Sequence, residues 1–123
     1  MQTSNFKLSG TDPNAVAISR GVPKGCKGRR YMPLAPATWA LVKEPDEAVF
    51  RKTFMTQLER LDARATVEAL GEDAILLCWE KPGEFCHRRV VAEWLERELG
   101  IAVPELCSEL WPTAASVVER SST

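Results

Sequence analysis

Ala74-Ile75-Leu76-Leu77-Cys78-Trp79 is apolar at both alternating sets of positions, the pattern of a strand covered on both faces. Glu80-Lys81-Pro82-Gly83-Glu84-Phe85 follows as a turn. Residues 86–99 then carry Val90, Val91, Trp94, Leu95 and Leu99 as one stripe, with Gly100 behind them, which reads as a helix and its stop. Upstream, Ala15-Val16-Ala17-Ile18-Ser19 is a second short apolar run ending at Arg20-Gly21. Between the two strands, residues 36–43 can make two helical turns. Pro45-Asp46 opens a longer helix with Val49, Phe50, Phe54, Leu58 and Leu61 at helical spacing, and residues 63–70 form another that stops at Gly71. Ile101-Ala102-Val103 is expected as a last short strand. Doubly covered strands alternating with helices predict an α/β fold, a small parallel sheet flanked by helices in a three-layer or Rossmann-like single domain.

The chain has 123 residues, of which 45% are hydrophobic and 27% charged; this is the balance of one globular domain and excludes disordered, collagenous and coiled-coil classes. Residues 1–14 are polar and punctuated by Gly10, Asp12 and Pro13, and are expected as a flexible N-terminal arm. The α/β domain is placed at residues 15–107 and a polar C-terminal tail at 108–123. No apolar run reaches the ~20 residues of a membrane span. Residues 1–11 hold one cation, Lys7, and no apolar stretch, which argues against a secretory leader and for a cytoplasmic chain with no membrane partner. Cys26, Cys78, Cys86 and Cys107 are accordingly expected as reduced thiols. Their spacing contains no Cys-x2-Cys knuckle, so no metal ligands are assigned and a structural metal is disfavoured. No phosphate-cradling Gly-x-x-x-x-Gly-Lys-Ser/Thr, His-Glu-x-x-His or Gly-x-Ser-x-Gly is present. Any cofactor is therefore left unknown.

Chemistry concentrates at two strand ends, where open parallel sheets put their ligands. The first is Cys78-Trp79-Glu80 followed by Cys86-His87-Arg88-Arg89. A strand–turn–helix gathers these side chains at the strand's carboxyl end, against a helix start whose unpaired N–H groups favour anions and thiolates. Cys78, Glu80, Cys86 and His87 are the catalytic candidates: a sulfur as nucleophile, the carboxylate and imidazole moving protons. Arg88 offers a forked anion donor. Neighbours on a helix point about 100° apart, so an adjacent Cys86–His87 dyad is expected to be poor. Bland readings stand beside these: Cys78 as a small buried residue, Glu80 with Arg88 as a structural ion pair, His87 as a solvated polar residue or the partner of a nearby backbone group.

The second strand end opens a stretch rich in Gly and Pro, residues 20–36. No acid occurs from Pro13 to Lys43, whereas Arg20, Lys24, Lys27, Arg29 and Arg30 crowd the loop, a footprint suited to phosphate or a nucleic-acid backbone and equally to a merely solvated loop. Tyr31 and Trp39 can stack on a base or belong to the core; Trp79 and Trp94 are expected to pack.

Leu76-Leu77-Cys78-Trp79-Glu80 with Cys86-His87-Arg88 opening an amphipathic helix resembles the signature of the prokaryotic domain of unknown function 488 family. Ala17-Ile18-Ser19-Arg20-Gly21-Val22-Pro23 is similar to that family's second motif, and Phe50-Arg51 to a weaker third. The resemblance covers roughly residues 15–105. It implies a small parallel α/β fold and a shared pocket of Arg20, Cys78, Glu80, Cys86, His87 and Arg88, and it supplies no reaction. Many relatives carry Asp-Val-Arg where this chain has Ile18-Ser19-Arg20, so a carboxylate at that strand end is not expected here. The reading that follows is an enzyme acting on a phosphorylated small molecule, a nucleotide or a nucleic-acid base, with an anionic ligand as partner. The alternatives are a non-catalytic nucleic-acid-binding module using the basic loop 20–30, and a metal-stabilised interaction protein.

Overall fold

The computed structural model describes residues 1–24, 28–79 and 86–106. Its centre is a four-stranded sheet in the order β1-β4-β2-β3, every pair parallel. The strands are β1 (Gln2–Asn5), β2 (Ala15–Ala17), β3 (Arg29–Arg30) and β4 (Ile75–Cys78). The helices are α1 (Phe6–Ser9), α2 (Trp39–Val42), α3 (Glu47–Leu58), α4 (Ala63–Leu70) and α5 (His87–Leu99), with a 3-10 turn at Met32–Leu34. The small parallel α/β domain expected from the apolar runs is the one observed.

Alternation along the two central strands sorts the core. Val16 and Leu76 face a large cluster built with Phe50, Phe54 and Leu58 of α3 and Val91, Trp94 and Leu95 of α5. Ala15, Ile75 and Leu77 face a smaller one with Phe6 and Leu106. A strand with apolar side chains in both directions is thus buried in both directions, as all four residues of β4 are. Asp46 caps α3 by accepting from the backbone N–H of Ala48 and Val49 at 2.9 and 3.2 Å, and Asp62 caps α4 at Ala65. Gly100 ends α5 at φ 67°, a left-handed conformation that glycine adopts without a Cβ clash. Gly71 ends α4 at φ 94°, ψ 149°, which is positive in φ but outside the left-handed helical well expected of it.

Three elements differ from expectation. The first fourteen residues are not an arm: β1 adds a strand beside β4 and runs directly into α1. Its buried residues are polar, and each is satisfied internally. Ser4 Oγ pairs with Ser9 Oγ at 2.8 Å, Asn5 Oδ1 accepts from Leu8 N–H at 2.8 Å, and Thr3 donates to Glu105. No apolar pattern announces such a strand. The basic loop holds β3 and the 3-10 turn. Residues 101–103 form no strand; the chain instead makes one parallel bridge, Thr3 with Glu105, flanked by Thr3 N–H to Pro104 O and Leu106 N–H to Thr3 O. The C-terminal tail expected at 108–123 lies outside the described residues.

Candidate functional site

At the carboxyl ends of β2 and β4 the surface opens into a cleft of about 410 Å³, within the range of small-molecule sites. β2 runs on into Ser19 and Arg20, β4 ends at Cys78 with Trp79 next in the chain, and Cys86 and His87 stand at the start of α5; Trp39 of α2 and Phe50 of α3 also line the cleft. Of the residues named from sequence, Arg20, Cys78, Cys86 and His87 line this one cavity. Glu80 and Lys27 lie outside the described residues.

Cys86 is the N-cap of α5, with φ −152° and ψ 148°. Because its backbone is extended, its side chain does not follow the helical 100° step. Its Sγ lies 3.7 Å from Nδ1 of His87, the adjacent contact that helical geometry argued against. The other ring nitrogen, Nε2, meets the carbonyl of Ile18. A carbonyl only accepts, so Nε2 carries the proton and Nδ1 presents its lone pair to the sulfur. The ring is buried and stands edge-on to Phe54 at 5.4 Å between centroids. That burial, with the Arg88 cation beside it, pulls the imidazole down from 6.5 to about 4, against the opposing pull of the Ile18 carbonyl.

Cys78 and Cys86 are joined sulfur to sulfur, so the two are not the separate thiols expected from composition. Their Cα atoms stand 7.4 Å apart. Cys78 Sγ also accepts from Arg88 Nη1 at 2.9 Å, a contact that favours the thiolate whenever the pair is reduced. The sulfurs of Cys78 and Cys86 and a ring nitrogen of His87 all lie within 4.8 Å of one another, and all three residues are buried. Seven residues separate the two cysteines in the chain, so the cluster has no Cys-x2-Cys spacing to announce it. Strand, turn and helix bring them together.

Arg88 is not at the cleft. Its side chain is fully buried and its Nε and Nη2 grip the Glu105 carboxylate at 2.7–3.2 Å. Arg89 reaches Thr3 Oγ1 and the Val103 carbonyl. Arg89 therefore ties α5 to β1 and to Val103, Arg88 ties it to Glu105 and to Cys78 of β4, and Arg88 as an anion clamp gives way to Arg88 as a buried ion pair. The basic loop divides similarly. Arg29 Nη2 donates to the Leu70 carbonyl at the end of α4, Arg30 Nη2 donates to the Arg20 carbonyl, and Lys24 is exposed.

Arg20 remains at the site. Its Nη1 donates to the carbonyls of Pro36 and Ala37 at 3.3 and 3.1 Å, its guanidinium carbon lies 5.6 Å from the centre of the Trp39 ring, and its buried Nε has no hydrogen-bond partner among the described residues. Two indoles complete the cavity. Trp39 is 53% exposed, and Trp79, expected to pack, is 54% exposed. Trp79 is fixed rather than loose: Nε1 donates to Gly21 O at 3.0 Å and Phe6 meets its ring edge-on at 5.2 Å. Alternation alone puts Trp79 on the buried face of Ile75 and Leu77; its exposure follows from β4 ending at Cys78, one residue earlier. Trp94, by contrast, packs fully.

No curated protein and no solved structure matches the chain. The profile described as the active DUF488-N3 subclade matches residues 14–99, a span that runs from β2 to the end of α5 and contains every described residue that lines the cleft. The chain belongs to the DUF488 family, in that subclade.

Proposed function

We propose that the protein is an enzyme acting on a nucleotide or a nucleobase-bearing ligand. The observation that carries the reading is that one cavity is lined both by two indoles and a guanidinium and by two sulfurs and an imidazole. Trp39 and Trp79 offer flat, half-exposed faces, and Trp79 is already held by Gly21 O and Phe6, so a heteroaromatic ring meets it at little ordering cost. Base–indole stacking contributes about 1–3 kcal/mol per base. Arg20 supplies the single cation among the described residues that line the cleft, with an Nε donor that a ligand's acceptor would satisfy after a small side-chain shift. Beside them His87 is neutral and presents its Nδ1 lone pair, and Cys78 and Cys86, once reduced, are the adjacent sulfur donors. In the metal-free protein such a fixed imidazole is a general base.

The basic-loop alternative is the less favoured reading: Arg29 and Arg30 each commit Nη2 to a backbone carbonyl, and among the described residues none of the loop's other cations lines the cleft with Arg20. The test is titration of the full chain with nucleoside monophosphates, nucleosides and inorganic phosphate, followed by indole fluorescence. Base-bearing ligands are expected to quench fluorescence and phosphate alone to leave it unchanged. Trp39→Ala is expected to weaken nucleotide binding by roughly 5- to 150-fold, the equivalent of one lost stack. Binding that Trp39→Ala and Arg20→Ala both leave intact would refute the reading.

A further inference from the structure

We infer that the sulfur–imidazole end of the cleft is a zinc-class metal site, with Cys78 Sγ, Cys86 Sγ and His87 Nδ1 as its protein ligands and its fourth position open to the cavity. The inference deepens the proposed function and rests on it only for the ligand that the fourth position faces.

Four observations support it. Tetrahedral zinc with sulfur ligands at ~2.3 Å and nitrogen at ~2.0 Å sets neighbouring ligand atoms about 3.5–3.8 Å apart, and Cys86 Sγ lies 3.7 Å from His87 Nδ1. The Cα atoms of Cys78 and Cys86 are 7.4 Å apart, beyond the ~4.4–6.8 Å that a disulfide usually spans, so the backbone holds the two residues at a separation better suited to sharing a cation. His87 is oriented as a ligand: Nε2 donates to the Ile18 carbonyl, which fixes the tautomer and aims the Nδ1 lone pair at the sulfurs. Each sulfur has a neighbour that favours the deprotonated form a metal requires, Arg88 Nη1 at Cys78 and the start of α5 at Cys86.

Three donors with an open fourth position are the arrangement of catalytic rather than structural zinc, which acidifies its bound water. Two thiolates and one neutral imidazole offset the divalent charge. The joined sulfurs of the structure are the competing oxidised form. Loading the metal requires reduction of the pair, and oxidation expels the metal.

The experiment uses the full chain, reduced with a phosphine and stripped by a chelator that is then removed, titrated with Zn²⁺ and with Co²⁺. One equivalent is expected to bind, and cobalt is expected to give thiolate-to-metal charge-transfer bands and the intense visible bands of a tetrahedral site. Loss of a neighbour around such ligands costs 10- to 100-fold in metal affinity, so Cys78→Ser and Cys86→Ser should each cost more than about 100-fold. Protein oxidised with diamide needs no substitution and is expected to bind none. Equal metal uptake by reduced and oxidised protein, or cobalt bands lacking thiolate character, would overturn the assignment. So would alkylation of Cys86 that one equivalent of zinc fails to slow; a free thiol nucleophile would then take its place. Arg20→Ala separates the two readings. Metal uptake with no nucleotide binding in the parent chain sinks the proposed function alone, and nucleotide binding by reduced protein that takes up no metal sinks the metal site alone. If both stand, Arg20→Ala keeps the cobalt spectrum and loses nucleotide affinity.

Discussion

The His87 ring faces three neighbours of different character: the Ile18 carbonyl, Cys86 Sγ and the edge of Phe54. Burial holds its imidazole near 4 in the folded chain against 6.5 when unfolded. Between those values the unfolded chain binds a proton that the folded one does not, so the stabilising contribution is fully present above pH 6.5 and is lost as pH falls towards 4. In the metal-free protein this difference amounts to about 3 kcal/mol across the whole window, at roughly 1.4 kcal/mol per unit. Urea midpoints measured from pH 7.5 to 4 should fall for the parent chain more steeply than for His87→Gln, which keeps an N–H for Ile18 and cannot titrate. Parallel curves would show that the imidazole's burial does not govern the acid limb. The chemistry of this residue was legible in the sequence as a histidine at a helix start. Its contact with Cys86 was not, because that depends on the extended backbone of one cap residue, which no spacing rule encodes.

At the scale of elements, α3 supports the site from below. Phe50 and Phe54 stack on one another at 5.5 Å, and Phe54, fully buried, is the surface against which the His87 ring rests. Phe54→Ala is expected to cost about 3–5 kcal/mol, as large aromatic deletions in cores do. Phe54→Leu should cost much less in urea unfolding, yet lower the cleft's ligand affinity by releasing the ring's edge contact. Equal ligand affinity in Phe54→Leu would show that the Ile18 carbonyl alone positions the imidazole. The apolar repeat of α3 gave Phe50, Phe54 and Leu58 correctly, whereas Val49 is 46% exposed. β2 and β4 were legible for the same reason, since burial selects their side chains. β1 and β3 were not. One is buried through Thr3, Ser4 and Asn5 and the other is a pair of exposed arginines. Both exist because backbone groups pair along β4 and β2, a register that side-chain hydropathy does not report.

Across the whole molecule, one buried network joins the first strand, the last helix and the segment after it. Glu105 accepts from Arg88 Nε and Nη2 and from Thr3, while Arg89 bonds Thr3 and the Val103 carbonyl. Arg88 also touches Cys78, so the network that seals the sheet edge is continuous with the cleft. Removing one partner of a buried pair strands the other charge, a cost of about 3–5 kcal/mol, whereas apolar replacement of both is often close to neutral. Glu105→Ala should therefore destabilise the chain severely, and Arg88→Met alone likewise. The double variant Arg88→Met with Glu105→Leu should recover much of the loss, so that the coupling in a thermodynamic cycle with Arg88→Met and Glu105→Leu exceeds either single loss, more than about 3 kcal/mol. Its Cys78 would lack the Nη1 donor, so the refolded double variant should take up cobalt more weakly than the parent, by about 10- to 100-fold. Recovery of stability without loss of metal affinity would confine Arg88 to holding the fold together. Additive losses would mean that Arg88 and Glu105 stabilise the molecule independently, through Cys78 on one side and Thr3 on the other.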